Sequence, residues 1–248
     1  MSSLLEKFKL VEEVVKAPSY GVVGFTHGRL VYTTTEEGVV SLWSLDSSGL
    51  KTKLAEDVYT VSNVISESPL VVFTRDVSKG CEQQRVYVVD VRDGVEKGIP
   101  SIQPRRITGI CFDGETIALS AASERAVELW TAKPDGEAER VYETKSLLLA
   151  SSVHRGKLSG IGVLKGNYRA YEIFIYDFDT GEFRIYTPKE GSTNSSPKLR
   201  DNKILFATTA FGDEKLLVYD MDEEKLDTPK FTHKDYERFK FTEYVTFD

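Results

Sequence analysis

Apolar residues fall along this chain in short runs of strand length, and five of these runs read as copies of one another. They are Ser41–Asp46 (SLWSLD), 86–91 (VYVVDV), Val127–Ala132 (VELWTA), 174–179 (FIYDFD) and 216–221 (LLVYDM). Each is followed by a tight polar turn: Asp46-Ser-Ser-Gly49, Asp93-Gly94, Pro134-Asp-Gly136, Asp179-Thr-Gly181 and Asp222-Glu-Glu224. Asp-Gly supplies the positive φ of a two-residue turn between antiparallel strands, so these are hairpins. A second apolar run precedes each copy, at 30–32, 70–73, 116–119, 158–164 and 204–207. The unit recurs roughly every 40 to 45 residues, the period of a β-propeller whose repeat is one four-stranded antiparallel blade. The middle strands are apolar on both alternations, as strands covered on both faces by neighbouring blades should be. The fold class predicted is therefore all-β, with blades over 20–55, 58–99, 107–142, 147–186 and 191–226. The fifth is the weakest, its inner segment 191–199 broken by Pro197 and its outer strand poor near Leu226.

The two ends differ from the repeats. Ser3 and Glu6 form a capping box, and Leu4, Phe8, Val11 and Val15 share one face, which predicts a short amphipathic helix over residues 1–16, ended by Pro18. Its stripe packs either on the propeller's own rim or on a second domain. At the other end 233–238 is charged and linker-like, and 239–247 reads as a final strand. The expected domains are a helix at 1–18, a propeller at 19–228, and a linker with an exit strand at 229–248. Together the ends hold about one blade of chain, so five repeats become six where the termini close a blade and hide an edge strand.

With 40% hydrophobic and 29% charged residues and no apolar run of membrane-spanning length, the 248-residue chain reads as globular and soluble. Charges within residues 1–16 interrupt any signal-peptide core, which predicts a cytoplasmic protein. The net charge of −7, with basic residues dispersed, argues against nucleic acid as a partner. The local exception, Arg105-Arg106, reads as a solvated blade edge rather than an anion clamp. Only three Gln and four Asn stand beside abundant Glu and Lys, which leans toward a thermophilic source. Cys81 and Cys111 lack metal-ligand spacing and read as two free thiols.

No motif carries catalysis. The G-x-S-x-G turn of α/β-hydrolases is absent, and His27, His154 and His233 all lie among turn residues. Gly160-Ile-Gly162 with Gly166 misses dinucleotide spacing and falls in a strand. The inner strands hold no Asp or Glu, which disfavours a glycosidase working in an axial cavity. Trp43 and Trp130 end similar third-strand phrases, as in WD-repeat propellers, and are expected to pack between blades. No catalytic, cofactor or metal residue is assigned and the ligand-binding residues are unknown. The loop with His154-Arg155 is a candidate because propeller-end loops carry recognition.

Three places resemble the N-terminal propeller of the prolyl oligopeptidase family, especially its archaeal acylaminoacyl-peptidase branch. They are the 4–16 helix with Ala17-Pro18, the blade phrases Gly28-Arg-Leu-Val-Tyr-Thr33 and Phe174-Ile-Tyr-Asp-Phe-Asp-Thr-Gly181, and Phe241-Thr-Glu-Tyr-Val-Thr-Phe-Asp248, similar to the strand leading into that family's hydrolase domain. Two departures stand out: the family has seven blades where five are visible here, and its Ser, Asp and His have no counterpart. The resemblance implies a non-catalytic domain that gates access of short peptides to a serine hydrolase domain absent from this chain. The partner would be an α/β-hydrolase domain, in cis or in trans. The alternative is a free-standing WD- or TolB-like propeller that binds a protein or peptide. Neither reading needs a cofactor or a membrane.

Overall fold

A computed structural model describes residues 16–229. Among them every extended element is a strand, and the strands form five four-stranded antiparallel sheets in chain order. Blade 1 is β1 (Tyr20–Thr26), β2 (Arg29–Thr34), β3 (Ser41–Asp46) and β4 (Lys51–Ala55). Blade 2 is β5 (Thr60–Val61), β6 (Leu70–Asp76), β7 (Gln84–Asp90) and β8 (Glu96–Gly98). Blade 3 is β9 (Arg106–Phe112), β10 (Ile117–Ala122), β11 (Val127–Ala132) and β12 (Ala138–Thr144). Blade 4 is β13 (Leu148–His154), β14 (Lys157–Gly162), β15 (Glu172–Asp177) and β16 (Phe183–Tyr186). Blade 5 is β17 (Asn194–Arg200), β18 (Lys203–Thr208), β19 (Lys215–Asp220) and β20 (Lys225–Asp227). Each sheet is a simple meander, first strand beside second, third beside fourth. The fold class is all-β, of the β-propeller kind. Of the N-terminal helix expected over 1–16, residues 1–15 lie outside the described residues, and Lys16 is helical. Residues 230–248, with the expected exit strand, lie outside as well.

Blades 1 and 2 form one compact unit and blades 3 to 5 another. In the first, Val31 and Leu42 from blade 1 pack with Leu54, Val58, Val71, Phe73 and Val89 in one buried apolar cluster. β1 comes close because Gly24 lacks a side chain: a Cβ there would sit 2.9 Å from the Cβ of Val64. The buried Thr26 hydroxyl then donates to the carbonyl of Ser68 at 2.6 Å, joining the two blades by a hydrogen bond as well as by apolar contact.

The second unit repeats the device. Cys111, Leu129, Leu148, Val153, Leu158 and Phe174 make one cluster between blades 3 and 4, and Ile173, Ile175, Leu199, Ile204 and Phe206 another between blades 4 and 5. A Cβ on Gly109 would lie 2.3 Å from the Ala150 carbonyl oxygen, so β9 and β13 touch backbone to backbone there. Hydroxyls satisfy the polar groups that this approach buries. Thr108 Oγ1 donates to the Leu148 carbonyl at 2.9 Å, and Ser120 Oγ accepts from the Ala150 amide at 2.9 Å. Ser152 Oγ likewise accepts from the Leu199 amide at 3.0 Å. Buried backbone groups must find partners, and these serines and threonines serve that need between sheets.

Two inner strands depart from expectation. The segment expected to be broken by Pro197 is a seven-residue strand. Its pairing to β18 shifts between Ser195 and Lys198, with Ser196 at φ 50°, so Pro197 sits in a bulge where no ladder donor is needed. The segment expected as a strand over 58–64 is reduced to Thr60–Val61. There the Ser62 amide still donates to the Val72 carbonyl at 2.9 Å, while its hydroxyl donates to the Asn63 carbonyl at 3.0 Å.

Candidate functional site

A meander of four strands begins and ends at the same end of its blade, so the first and third hairpin turns share the other end. Third-strand aspartates dominate that other end. Asp46, Asp90, Asp177 and Asp220 close β3, β7, β15 and β19, and each carboxylate accepts from amides of its own turn. Asp46 takes the Ser48 and Leu50 amides at 2.9 and 3.0 Å, and Asp177 takes those of Asp179 and Thr180, both at 3.0 Å. These bonds favour the ionised form and hold the carboxyls below their ordinary range: Asp46 chiefly through the Ser48 hydroxyl, Asp90 through Arg92, Asp177 through the Thr180 amide and Asp220 through the Glu223 amide. Blade 3 breaks the pattern, with Ala132 closing β11. These acids shape turns.

Blades 4 and 5 add charged groups that reach across from blade to blade at this end. The β13–β14 turn holds Arg155 at φ 45° and Gly156 at φ 77°, and the β17–β18 turn holds Asp201 at φ 50°. Asp201 Oδ1 receives the Arg155 guanidinium at 2.6 Å and lies 3.3 Å from His154 Nε2. The hydrogen bond with His154, then the charge of Arg155, lowers the Asp201 carboxyl below its usual range. The sequence singled out His154-Arg155 as a loop. The structure supplies its partner, Asp201, which sequence reasoning missed, although Asp201-Asn202 occupies the same hairpin position one repeat later.

Beside this bridge lies a cavity of about 220 Å³. Its apolar wall is Ile175, which is buried, and the half-buried Met221. Lys157 Nζ stands 3.7 Å from Asp177 and donates to Asn202 Oδ1 at 3.3 Å. Arg184 donates to Glu182 at 2.7 Å and keeps that carboxyl low. Asn202 Nδ2 donates to both oxygens of Asp222, at 3.1 and 3.0 Å. The lining thus carries three carboxylates and two cations, and each cation already has a carboxylate neighbour.

Of the two described histidines, His154 faces a carboxylate and His27 a hydroxyl. His27 Nδ1 lies 3.2 Å from Thr26 Oγ1, but that hydroxyl already donates to Ser68. His233 lies outside the described residues. Cys81 is exposed, while burial pushes the Cys111 thiol well above its ordinary value. Among the described residues no group of three or more His, Cys, Asp and Glu is placed to hold a metal ion.

The reading of Arg105 is corrected. Arg105 is not a solvated edge: it pairs with Glu128, which is 8% exposed, and its guanidinium stacks 4.9 Å from the Trp130 ring. Trp130 Nε1 donates to the same carboxylate at 2.9 Å, and Arg140 Nη1 lies 3.2 Å from its other oxygen. Trp43 likewise has Lys53 of its own blade over its ring at 5.8 Å. Both rings are half-buried, each beside a cation of its own blade.

Comparison with known proteins decides the family. Residues 31–248 match the family of acylamino-acid-releasing enzyme-like N-terminal domains. The chain belongs to this family. This acylamino-acid-releasing enzyme-like domain is also similar in fold to solved peptidases. An acylaminoacyl peptidase in complex with Z-Gly-Gly-Phe-chloromethyl ketone superposes with a TM-score of 0.62 at 15% identity, over 81% of this chain and 37% of that one. A prolyl endopeptidase gives 0.67 at 12% identity, over 88% and 37%. TolB from Acinetobacter baumannii gives 0.57 at 15% identity, over 83% and 53%. The chain thus spans little more than a third of the two peptidases' length.

Proposed function

We propose that this propeller domain gates a serine hydrolase domain, admitting short peptides and excluding folded protein. The observation that carries the proposal is the family match over residues 31–248. Two others support it: the domain is as long as a fraction of the similar peptidases, and its described residues lack a nucleophile paired with a base. The physical basis is steric. A rigid wall of blades beside an active site passes a flexible segment and stops a globule, and it performs no chemistry itself. Residues 19–228 would form the gate, and 229–248 would lead toward the hydrolase.

The test is to purify the native protein from its source and treat it with a fluorophosphonate probe, which labels activated serines. Label on this polypeptide beyond Asp248, or on a stoichiometric partner, is the expected result. A purified protein with neither label overturns the gating reading. It would favour a second one, which the likeness to TolB supports: a free-standing module that binds a protein partner through its blade-end loops.

A further inference from the structure

The geometry points to the cavity between blades 4 and 5 as a binding site for a cationic side chain, the lysine or arginine of a peptide, with Asp222 as its counter-ion. This goes beyond the gating reading and does not rest on it, since the site is complete within blades 4 and 5.

Charge and shape both select a cation with an apolar stem. Of the three carboxylates at the cavity, Asp177 faces Lys157 and Glu182 holds Arg184. Asp222 is the one left over: its oxygens accept from the Asn202 amide, and no salt-bridge partner stands beside it among the described residues. With both resident cations neutralised, the net charge of the lining is negative, and a second positive charge is attracted rather than repelled. Asn202 donates to Asp222 and accepts from Lys157, which fixes the carboxylate's orientation before a ligand arrives. The wall of Ile175 and Met221 suits the methylene stem of Lys or Arg, whose charged head then stays at the polar rim. A volume of about 220 Å³ holds one such side chain and little else. An anion would meet Asp222 unpaired, and a neutral aliphatic chain would leave that carboxylate's charge unanswered. The net charge of −7 adds a long-range attraction for basic peptides.

The test uses the chain itself, with two blocked probes, N-acetyl-arginine methylamide and N-acetyl-norleucine methylamide, followed by amide and methyl NMR shifts at low salt. The expected result is saturable shifts at the Asn202 side-chain amide and the Met221 methyl with the arginine probe alone, weakening as salt rises. Asp222 is solvent-exposed, so the ion pair is screened and Asp222→Asn should weaken binding about two- to fivefold. Asp222 is exposed in a turn, and asparagine keeps an acceptor for Asn202, so the spectrum of the variant also reports an intact fold. Equal shifts with norleucine, shifts centred away from these residues, an unaltered titration in Asp222→Asn, or no shift at tens of millimolar probe would each overturn the assignment.

Discussion

At the scale of single residues, the short polar side chains do more for this fold than their turn-forming reputation suggests. Asp76, at the end of β6, accepts the Ser78 hydroxyl, the Ser78 amide at 2.8 Å, the Gly80 amide at 2.8 Å and the Glu82 amide at 3.3 Å. With the Ser78 hydroxyl the largest influence, the carboxyl falls to about 2. Its pKa is lower folded than unfolded, so its stabilisation is complete above the unfolded value of about 3.9 and is lost as pH falls toward about 2. Thermal midpoints of the parent and Asp76→Ala should therefore differ at pH 6 and converge between pH 4 and 2. A gap that persists at pH 2 contradicts the turn bonds as its source. Glycine acts at the same scale where backbones meet. Gly109→Ala must push a methyl against the Ala150 carbonyl, and overpacking of this kind costs about 1–3 kcal/mol, visible as a lower denaturant midpoint. An unchanged midpoint would mean that β9 and β13 do not touch there.

At the scale of elements, blade adhesion depends on hydroxyls from one sheet meeting amides and carbonyls of the next. Ser120→Ala strands the Ala150 amide in a buried place, and an unmet buried donor costs about 1–3 kcal/mol. The loss should appear in urea unfolding, and amide exchange at Ala150 should rise more than exchange elsewhere in β13. Pro197→Ala is the contrasting case, because the bulge in β17 asks for no donor at that position. Stability should change by less than about 1 kcal/mol, mostly through the unfolded chain. A large loss would show that proline's fixed φ shapes the strand. The same elements show what is legible in a sequence. The repeated second and third strands, such as Leu70–Asp76 and Val127–Ala132, announce themselves because each is apolar and ends at a polar turn. Inner strands are harder, because their length depends on contacts outside the repeat. β17 accommodates Pro197 in a bulge, and β5 keeps only Thr60–Val61 of the expected segment. The candidate site was legible in part. His154-Arg155 stood out as a loop, but Asp201 and Asp222 are ordinary turn residues until blade 5 sets them beside blade 4. Arg105 departs from its expected solvated edge for a related reason: its partner carboxylate, Glu128, comes from a strand that reads as purely structural.

At the scale of the whole molecule, family membership and five successive meanders describe a propeller domain, for which we propose selective access as its work. Its own residues hold charged loops at the blade ends, and on the proposed reading the chemistry lies in a hydrolase domain. The gating claim is tested most directly by size selectivity. The native protein containing this domain, a peptidase on the proposed reading, would be assayed on a blocked dipeptide anilide and on a folded protein of similar cleavage-site sequence, before and after proteolytic removal of residues 1–248. The expected result is that the intact enzyme cleaves the anilide and spares the folded protein, and that removal opens cleavage of the folded protein while anilide hydrolysis persists. The same ratio of the two rates before and after removal would contradict the gate.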